Sequence, residues 1–484
     1  MKYKIIMVAL VLLIVSASIA LYYVDEGRFE ERFHQHLSYP SEKEFRYRTA
    51  GFQTHLPVFS IDTNDQRIPG TPIPGQDLVY ELAEDGTTDI LADMSVVYDH
   101  LDENKTFIAR VRYRGNSSRY FSKKSYAIRI VNKEREEVRK ALLGMEAHDE
   151  WALHGPYLDR TLIRNYMAMN LAGEMMPYAP EVRFVELFQD GKYQGVYVLM
   201  ETISKGEGRV EIDTPLRNSA LTSYLVEMDR APKMDPNSKL TEFLTKTYRT
   251  EGRDIDLVYP GQGQFTLDRK DYVEKDLTKI AKSLYLRPLE ERYEGFSKTL
   301  NVQAFQDYFI LNELFRNVDA GFYSTFWYKD TRGLLTPVVW DFNNALDNYQ
   351  EISHSVAGFS LTGAVFFDTL LKDPQFVEGL LRRYSVLRRS ILSEERLMAY
   401  ITETEAYLGT AVTRNYAVWG SVFSMSNYYP EGYLLRLTRN VESYEEAVET
   451  MAEFLRMRGR WLDEHMHTLR QYSHPSRNSF EITR

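Results

Sequence analysis

Two aspartates, Asp319 and Asp341, flank a segment whose pattern predicts a β-hairpin. Two apolar runs, from about Phe322 to Tyr328 and from about Leu334 to Trp340, are joined by the turn-forming residues 330–333. A hairpin brings its ends together, so we expect both carboxylates at the same end. Carboxylates held on a rigid support can bind a hard divalent cation and orient a nucleophile. The plainer alternative is that each Asp caps a turn or a helix.

The elements on either side of this pair are predicted to be buried. Residues 302–316 are apolar nearly all round, which predicts a buried helix that ends just before Asp319. The second strand of the hairpin is almost wholly apolar, as in strands that are covered on both faces.

Basic residues cluster earlier in the chain around a small-residue turn. Residues 114–118, with the sequence Arg-Gly-Asn-Ser-Ser, follow an alternating strand, and Lys123 and Lys124 lead into another strand. A lysine at a strand start beside such a turn can meet phosphate oxygens. A solvated basic edge, which Lys commonly provides to discourage aggregation, explains the same pattern.

Two further elements complete the first half of the chain. Residues 159–176 predict a helix with Asp159 as its N-cap, and residues 182–203 predict a hairpin that turns at Asp190-Gly191. Glu201, near the end of the hairpin, is equally consistent with an ordinary strand-end residue and with a site residue.

Composition excludes several classes of function. The chain has 484 residues, a formal net charge of −10 and no cysteine. The acidic balance argues against nucleic acid as a partner, because phosphate binding needs a basic face. Disulfides, thiolate nucleophiles and cysteine-ligated zinc are excluded outright.

The N-terminus carries an uncharged run, residues 5–23, preceded by Lys2 and Lys4. Its length nearly spans a bilayer, and the preceding lysines place the N-terminal end in the cytoplasm and the rest of the chain outside. We therefore expect an uncleaved membrane anchor. A cleavable signal is the alternative, since residues 18–20 form an acceptable small-x-small site.

Several separated motifs, in this order along the chain, resemble the CotH-type family of spore-coat kinases. They are residues 114–118, Lys123-Lys124-Ser125-Tyr126, Asp159 with residues 162–165, Gly195 through Glu201, Asn317-Val318-Asp319, Ser324, Tyr328-Lys329-Asp330 and Trp340-Asp341-Phe342. The resemblance implies an α+β, atypical two-lobed protein-kinase-like fold, with a strand-rich N-lobe and a mainly helical C-lobe. The N-terminal apolar run predicts one transmembrane helix before it.

The resulting domain prediction divides the chain into five parts. They are an anchor or signal at 1–25, a juxtamembrane stalk at 26–50, the N-lobe at 51–203, the C-lobe with the active-site hairpin at 204–470 and a flexible tail at 471–484.

The resemblance also assigns roles to individual residues. Asp319 is expected to be catalytic and to orient the acceptor hydroxyl. The nucleotide is expected to contact Lys124 first, Lys123 second, and also Arg114 and Glu201. The metal, Mg²⁺ or Mn²⁺, is expected to contact Asp341, Ser324 and Asn343. Ser324 stands where the family carries Asn, and Asn343 stands where it carries Asp, which weakens both ligands.

The function implied is an ATP- and metal-dependent kinase that phosphorylates Ser or Thr of surface or coat proteins. It would act outside the membrane, as a single-pass membrane protein or as a secreted protein. Two alternatives stay open. One is an inactive pseudokinase scaffold, and the other is a module on the same fold that binds or modifies a wall polymer through its many tyrosines.

Overall fold

The computed structural model describes residues 32–48, 51–76, 78–230, 237–261, 263–348, 352–427 and 441–474. Residues 34–484 form one compact unit. The predicted anchor or signal lies outside the described residues, as do residues 475–484 of the predicted tail. Within the described ranges, no helix is both long and apolar enough to cross a membrane.

The protein is a mixed α+β structure with a strand-rich part and a mainly helical part, as the sequence predicts. The strands are β1 (Phe45–Arg46), β2 (Gln53–Thr54), β3 (Val58–Asp62), β4 (Ile90–Tyr98), β5 (Glu103–Tyr113), β6 (Tyr126–Val131), β7 (Lys140–Leu142), β8 (Met145–His148), β9 (Glu150–His154), β10 (Val182–Gln189), β11 (Lys192–Glu201), β12 (Tyr224–Asp229), β13 (Asp254–Tyr259), β14 (Thr325–Lys329) and β15 (Thr336–Val338).

The α-helices are concentrated after residue 240. They are α1 (Gln35–Ser38), α2 (Arg164–Gly173), α3 (Phe243–Lys246), α4 (Leu267–Tyr285), α5 (Leu289–Phe296), α6 (Val302–Leu314), α7 (Phe367–Leu370), α8 (Pro374–Leu387), α9 (Glu394–Leu408), α10 (Thr410–Trp419), α11 (Tyr444–His465) and α12 (Arg470–Ser473). The predicted tail therefore begins within α12.

Seven strands close into a barrel in the order β10-β11-β9-β6-β5-β4-β3. Neighbouring strands are antiparallel except at the closure, where β3 pairs with β10 in parallel. Closure was not predicted, because it depends on a pairing between strands more than 120 residues apart. It removes the exposed strand edges that an open sheet would leave.

Alternation along β10 and β11 separates two cores. Val185 and Leu187 point into the barrel, whereas Val182 and Phe184 pack with α2 and the helical part. Successive residues of a strand face opposite sides, so one hairpin can close the barrel and support α2 at the same time. The tight turn of this hairpin is Asp190-Gly191, as predicted, and both residues have positive φ.

The second sheet has the order β13-β12-β14-β15 and contains the predicted hairpin. Its strands, β14 and β15, are shorter than predicted but pair in antiparallel fashion. All three residues of β15 are buried, which agrees with its apolar composition. Helix α6 is buried on nearly all sides, as its composition predicts, and leads into the loop that carries Asp319.

Helix α10, late in the chain, lies against barrel strand β11. The Arg414 guanidinium pairs with both carboxylate oxygens of Glu186 at 2.8 and 3.1 Å, and Trp419 Nε1 donates to the Gln194 carbonyl at 2.7 Å. Gly195 allows this close approach, because a Cβ there would lie 2.4 Å from Asn415 Oδ1. A helix from the predicted C-lobe therefore packs on the barrel.

Part of the predicted stalk is packed in the body of the protein. The side-chain amide of Gln35 bonds the backbone of Phe184 in both directions, at 3.0 and 2.6 Å. His36 Nδ1 lies 2.9 Å from the Tyr166 hydroxyl. Burial lowers the pKa of His36 to about 3, so this imidazole is neutral. Residues 34–36 are therefore buried in the body of the protein, not part of a solvated spacer.

Candidate active site

The two acidic turns at the ends of the hairpin are joined by asparagine side chains. Asn344 Nδ2 donates to Asp319 Oδ2 at 2.7 Å, and Asn317 Nδ2 donates to the backbone carbonyl of Asp341 at 3.2 Å. Each bond crosses from one acidic turn to the other. The predicted meeting of Asp319 and Asp341 at one end of the hairpin is confirmed.

The electrostatics of Asp341 show that the carboxylates are crowded. Its pKa is raised to about 6, first by burial and then by repulsion from Asp319 and Asp229. Arg114 and a backbone N–H bond from Asn343 pull the pKa in the opposite direction. Arg114 only partly balances the negative charge of these carboxylates, and a bound divalent cation would reduce the repulsion between them.

The backbone of Asp341 is held in a conformation that L-residues rarely adopt. Its φ is +50°, a left-handed value that persists only where neighbouring contacts impose it. Asn165, at the start of α2, supplies two of these contacts. Its Oδ1 accepts the Phe342 N–H at 2.8 Å, and its Nδ2 donates to Asn343 Oδ1 at 2.7 Å.

Arg164, the neighbour of Asn165, makes further hydrogen bonds to the turn that contains Asp341. Its Nε donates to the Ala345 carbonyl at 3.0 Å, and its Nη1 pairs with Asp159 at 2.5 Å. Asp159 in turn accepts the Arg164 N–H and the Thr161 hydroxyl. Asp159 thus accepts the first N–H of α2 and pairs with Arg164, but the predicted N-cap position is wrong, because α2 begins at Arg164 with Ile163 at the N-cap.

Arg114 is the predicted nucleotide-binding cation that the structure places beside the acids. Its Cζ lies 5.3 Å from the Trp340 ring centre. Burial lowers the pKa of Arg114, and the negative charge of Asp341 opposes that shift. The turn behind it requires Gly115, since φ is +98° and a Cβ would lie 1.9 Å from Ser118 Oγ.

Ser324, a predicted metal ligand, is bonded to a residue that the sequence analysis did not select. Its hydroxyl donates to Asp229 Oδ2 at 3.2 Å. The sheet register explains the contact, because Met228 of β12 lies opposite Thr325 of β14. The next pair outward is therefore Asp229 and Ser324, at the same end of the sheet as Asp319.

Asn343, the other substituted ligand, has its side-chain oxygen occupied by Asn165 Nδ2. Its backbone carbonyl accepts from Asn348 Nδ2 at 2.7 Å. These contacts hold the turn together, so Asn343 stabilises the loop that presents Asp341.

Lys123 is placed away from the acids. It is 1% exposed, and its ammonium donates to the Val196 carbonyl at 2.6 Å and to Asn415 Oδ1 at 2.8 Å. Burial lowers its pKa well below the ordinary value. Lys123 thus bonds the barrel to α10 and is sealed from solvent.

Lys124, the first choice for the nucleotide phosphate, is directed at the turn that precedes it. Its ammonium donates to the Arg119 carbonyl at 2.5 Å and lies 5.7 Å from the Tyr113 ring centre. Burial lowers its pKa. The Lys124 amine thus bonds the loop that precedes its own strand.

Glu201 is a buried structural carboxylate. It is 1% exposed, accepts the Glu181 N–H at 2.9 Å and lies 3.7 Å from Arg209 Nε. These contacts with protein groups account for a buried carboxylate at the end of β11, and no bound nucleotide is needed to explain it.

Three residues close to the acids were absent from the predicted site, namely Asp229, Asn165 and Asn317. Asn165 and Asn317 belong to the motifs that resemble the CotH-type family, but the sequence analysis assigned no role to either. Asp229 lies at the end of an apolar strand, and Asp341 was predicted as a site residue because it also comes directly after an apolar strand. The same signal, a carboxylate directly after a buried strand, could have found it.

The donor set suits a hard cation. It consists of carboxylate, hydroxyl and amide oxygens, which Mg²⁺ and Mn²⁺ prefer. In the ranges that the structure describes, no three His, Asp or Glu residues converge closely enough to hold a metal by themselves. Mg²⁺ usually takes one or two carboxylates together with substrate phosphates and water, and Asp341 and Asp319 fit that pattern.

Comparison with known sequences agrees with the resemblance drawn from the motifs. No curated protein sequence gives a significant match. The profile of the family described as CotH kinase protein matches residues 111–462, which is most of the chain and runs from the end of β5 into α11. The chain belongs to the CotH kinase family.

Proposed function

We propose that this protein is a metal-dependent kinase that transfers the γ-phosphoryl group of ATP to a hydroxyl. The observation that carries the proposal is the position of Asp319, Asp341 and Asp229 at one end of the second sheet, where hydrogen bonds join the two acidic turns and Ser324 to Asp229. Burial first, and then repulsion from the other two carboxylates, raises the pKa of Asp341 to about 6. An acidic centre with a cation beside it is the arrangement that phosphoryl transfer uses. Family membership supports the same reaction class.

We assign each residue of the site a separate role according to its position. Asp341, half-buried and close enough to Asp319 and Asp229 to be repelled by both, would hold the metal together with the Ser324 hydroxyl. Asp319 would orient the acceptor hydroxyl. Arg114 would contact the phosphates, a role that its place beside Asp341 suits better than the placement of Lys124 does. Mg²⁺ or Mn²⁺, when bound, would neutralise the phosphate charge.

The acceptor and the location are parts of the same proposal. The acceptor is Ser or Thr of a surface or coat protein, and the reaction takes place outside the membrane to which the N-terminal segment attaches the protein. The two-lobed, kinase-like division into the barrel and the mainly helical part belongs to the same proposal.

The deciding experiment uses purified protein, γ-labelled ATP and each divalent cation in turn, with a serine- and threonine-rich protein as acceptor. Metal-dependent label on a hydroxyl, lost in Asp319→Ala and Asp341→Ala, supports the proposal. Absence of label and of nucleotide binding with every metal rejects it.

An inactive scaffold is the second candidate, and two contacts favour it. The Ser324 hydroxyl is bonded to Asp229, and Asn343 Oδ1 is bonded to Asn165. Both substituted side chains are thus hydrogen-bonded to other protein groups. In that case the same fold serves as a binding module, for a protein partner or for a wall polymer.

A further inference from the structure

Two arginines stack against the aromatic residue that follows Asp319 by four positions. The Arg230 Cζ lies 4.1 Å from the Tyr323 ring centre, and the Arg253 Cζ lies 5.1 Å from it. A guanidinium stacked on a ring keeps its N–H edge free to bind an anion. We call Arg230, Arg253 and Tyr323 the arginine platform.

The backbone fixes this platform to the residue proposed to orient the acceptor. The N–H groups of Phe322 and Tyr323 donate to the Asp319 carbonyl at 3.0 and 2.8 Å. The next residue, Ser324, bonds Asp229, which directly precedes Arg230. The platform therefore keeps a constant relation to Asp319.

The hydrogen-bonding capacity of Arg253 is incompletely used. Its side chain is largely buried, with the residue 8% exposed, and within the described ranges its Nε–H has no acceptor. Its two terminal nitrogens share one oxygen of Glu251 at 3.2 and 3.1 Å, and that carboxylate side chain is 63% exposed. A buried N–H without a partner is costly, so a ligand oxyanion would be bound favourably here.

The position of the platform favours the acceptor over the nucleotide as the source of that oxyanion. Arg114, the cation proposed to contact the nucleotide, comes from the barrel, whereas Arg230 and Arg253 flank strands of the second sheet. Arginine clusters of this kind recognise acidic and phosphorylated motifs through charge-assisted bonds.

We propose that the arginine platform binds a carboxylate or phosphate carried by the acceptor, so that the site selects hydroxyl-bearing peptides with an acidic or phosphorylated residue near the acceptor. This inference rests on the proposed function. In the reaction, the acceptor oxygen bonds to the γ-phosphorus of ATP while the bond from that phosphorus to the leaving oxygen breaks, and ADP is released. The hydroxyl proton leaves by way of Asp319.

The test compares serine peptides that differ only in the flanking residues, which are Glu, phosphoserine, Gln or Lys. Arg230→Glu is the informative variant, because Arg230 is exposed and its replacement should preserve the fold. Arg249→Glu is the matched control, since Arg249 stacks on Tyr285 at 3.9 Å and is also exposed. Glu251→Gln removes the negative charge with which Arg253 pairs.

We expect wild type and Arg249→Glu to prefer the Glu and phosphoserine peptides over the Gln peptide. Arg230→Glu should lower kcat/KM for the acidic peptides by roughly tenfold, raise it for the Lys peptide, and leave the KM for ATP unchanged. Glu251→Gln should strengthen the preference for acidic peptides.

A rise in the KM for ATP with every peptide, without a change in preference, would assign the platform to the nucleotide and overturn the inference. An unchanged preference with an unchanged KM would overturn it as well. If no peptide is phosphorylated, the proposed function has failed, and binding of fluorescent peptides to the same variants still decides the inference. Weaker binding of acidic peptides to Arg230→Glu supports it, and equal binding contradicts it.

Discussion

Asn165 and Phe342 are 177 residues apart, and the side-chain oxygen of the first accepts the backbone N–H of the second at 2.8 Å. The bond ties the start of α2 to the turn that presents Asp341. Since Asp341 has a φ of +50°, the turn depends on such external contacts to keep its shape.

Asn165→Ala should therefore weaken metal binding more than it weakens the fold. Loss of an outer contact of this kind typically costs about 10- to 100-fold in metal affinity. Terbium luminescence, excited through the neighbouring Trp340, measures that affinity without nucleotide or catalysis. Hydrogen exchange at the Phe342 amide should accelerate in the same variant.

Asn170→Ala provides the control for a simple loss of stability. Asn170 is also a buried asparagine of α2, but its Nδ2 donates to the Tyr400 hydroxyl at 3.0 Å. It should lower the melting temperature while terbium affinity and Phe342 exchange stay at wild-type values. Equal effects of the two variants on terbium binding would mean that Asn165 acts only through general stability.

The pH dependence of stability should carry the signature of Asp341. Its pKa in the folded protein is about 6, above the ordinary value, so its proton stabilises the fold. This contribution is complete below about pH 4 and is lost as the pH rises through 6. Asp341→Asn should consequently be more stable than wild type at pH 8, by about 1–3 kcal/mol, and nearly equal to it at pH 4.

The same proteins should then be compared in the presence of Mn²⁺. It should raise the melting temperature of wild type at pH 8 but not that of Asp341→Asn. Asp307→Asn is the comparison, because burial also raises the pKa of Asp307 to about 6, while its partner is Arg383 at 2.7 Å. That variant should keep its response to Mn²⁺.

Substitution of Asp341 and substitution of Asp319 should have different effects on nucleotide binding and on phosphoryl transfer. Asp341→Ala should abolish metal-dependent nucleotide binding, since a metal-holding group acts on charge already present in the bound state. Asp319→Ala should keep binding and lose phosphoryl transfer, because it contacts the acceptor hydroxyl. Calorimetric titration beside a transfer assay checks both; loss of binding in Asp319→Ala would contradict the division.

Restoration of the family residues tests whether the substituted ligands limit the metal. Ser324→Asn should tighten metal binding, because an amide oxygen is a stronger ligand than a hydroxyl and the neighbouring Asp229 remains available. Asn343→Asp should have a smaller effect, since the oxygen at that position already accepts from Asn165. A larger gain from Asn343→Asp than from Ser324→Asn would show that Asn343 faces the metal.

The cation that serves the phosphates can be identified by paired substitutions. Arg114→Ala should weaken nucleotide binding roughly tenfold or more, because Arg114 lies beside Asp341. Lys124→Ala should have little effect, since its amine bonds the Arg119 carbonyl. Calorimetry with ATP and Mn²⁺ measures both, and the opposite ranking would restore Lys124 to the role that the sequence suggested.

Local patterns were sufficient for some features and insufficient for others. The hairpin that brings Asp319 and Asp341 together follows from turn residues and apolar runs that are close in the sequence. Closure of the barrel and the contacts of Asn165 follow from pairings across more than a hundred residues, which periodicity does not reveal. Nothing in the local pattern told Lys123 from Lys124, yet the structure buries one and directs the other to its own loop.

Helix α10 has a consequence for how the chain is made. Lys123 meets its partner Asn415 across 292 residues, and the Glu186 carboxylate meets Arg414 across 228 residues. Contacts so distant in sequence carry a high closure entropy and form late. During synthesis, the barrel strands would therefore emerge before Asn415 and Arg414, the partners that α10 supplies to Lys123 and Glu186. The barrel becomes a finished fold only when α10 has left the ribosome, and a fragment that stops at residue 203 should remain unfolded.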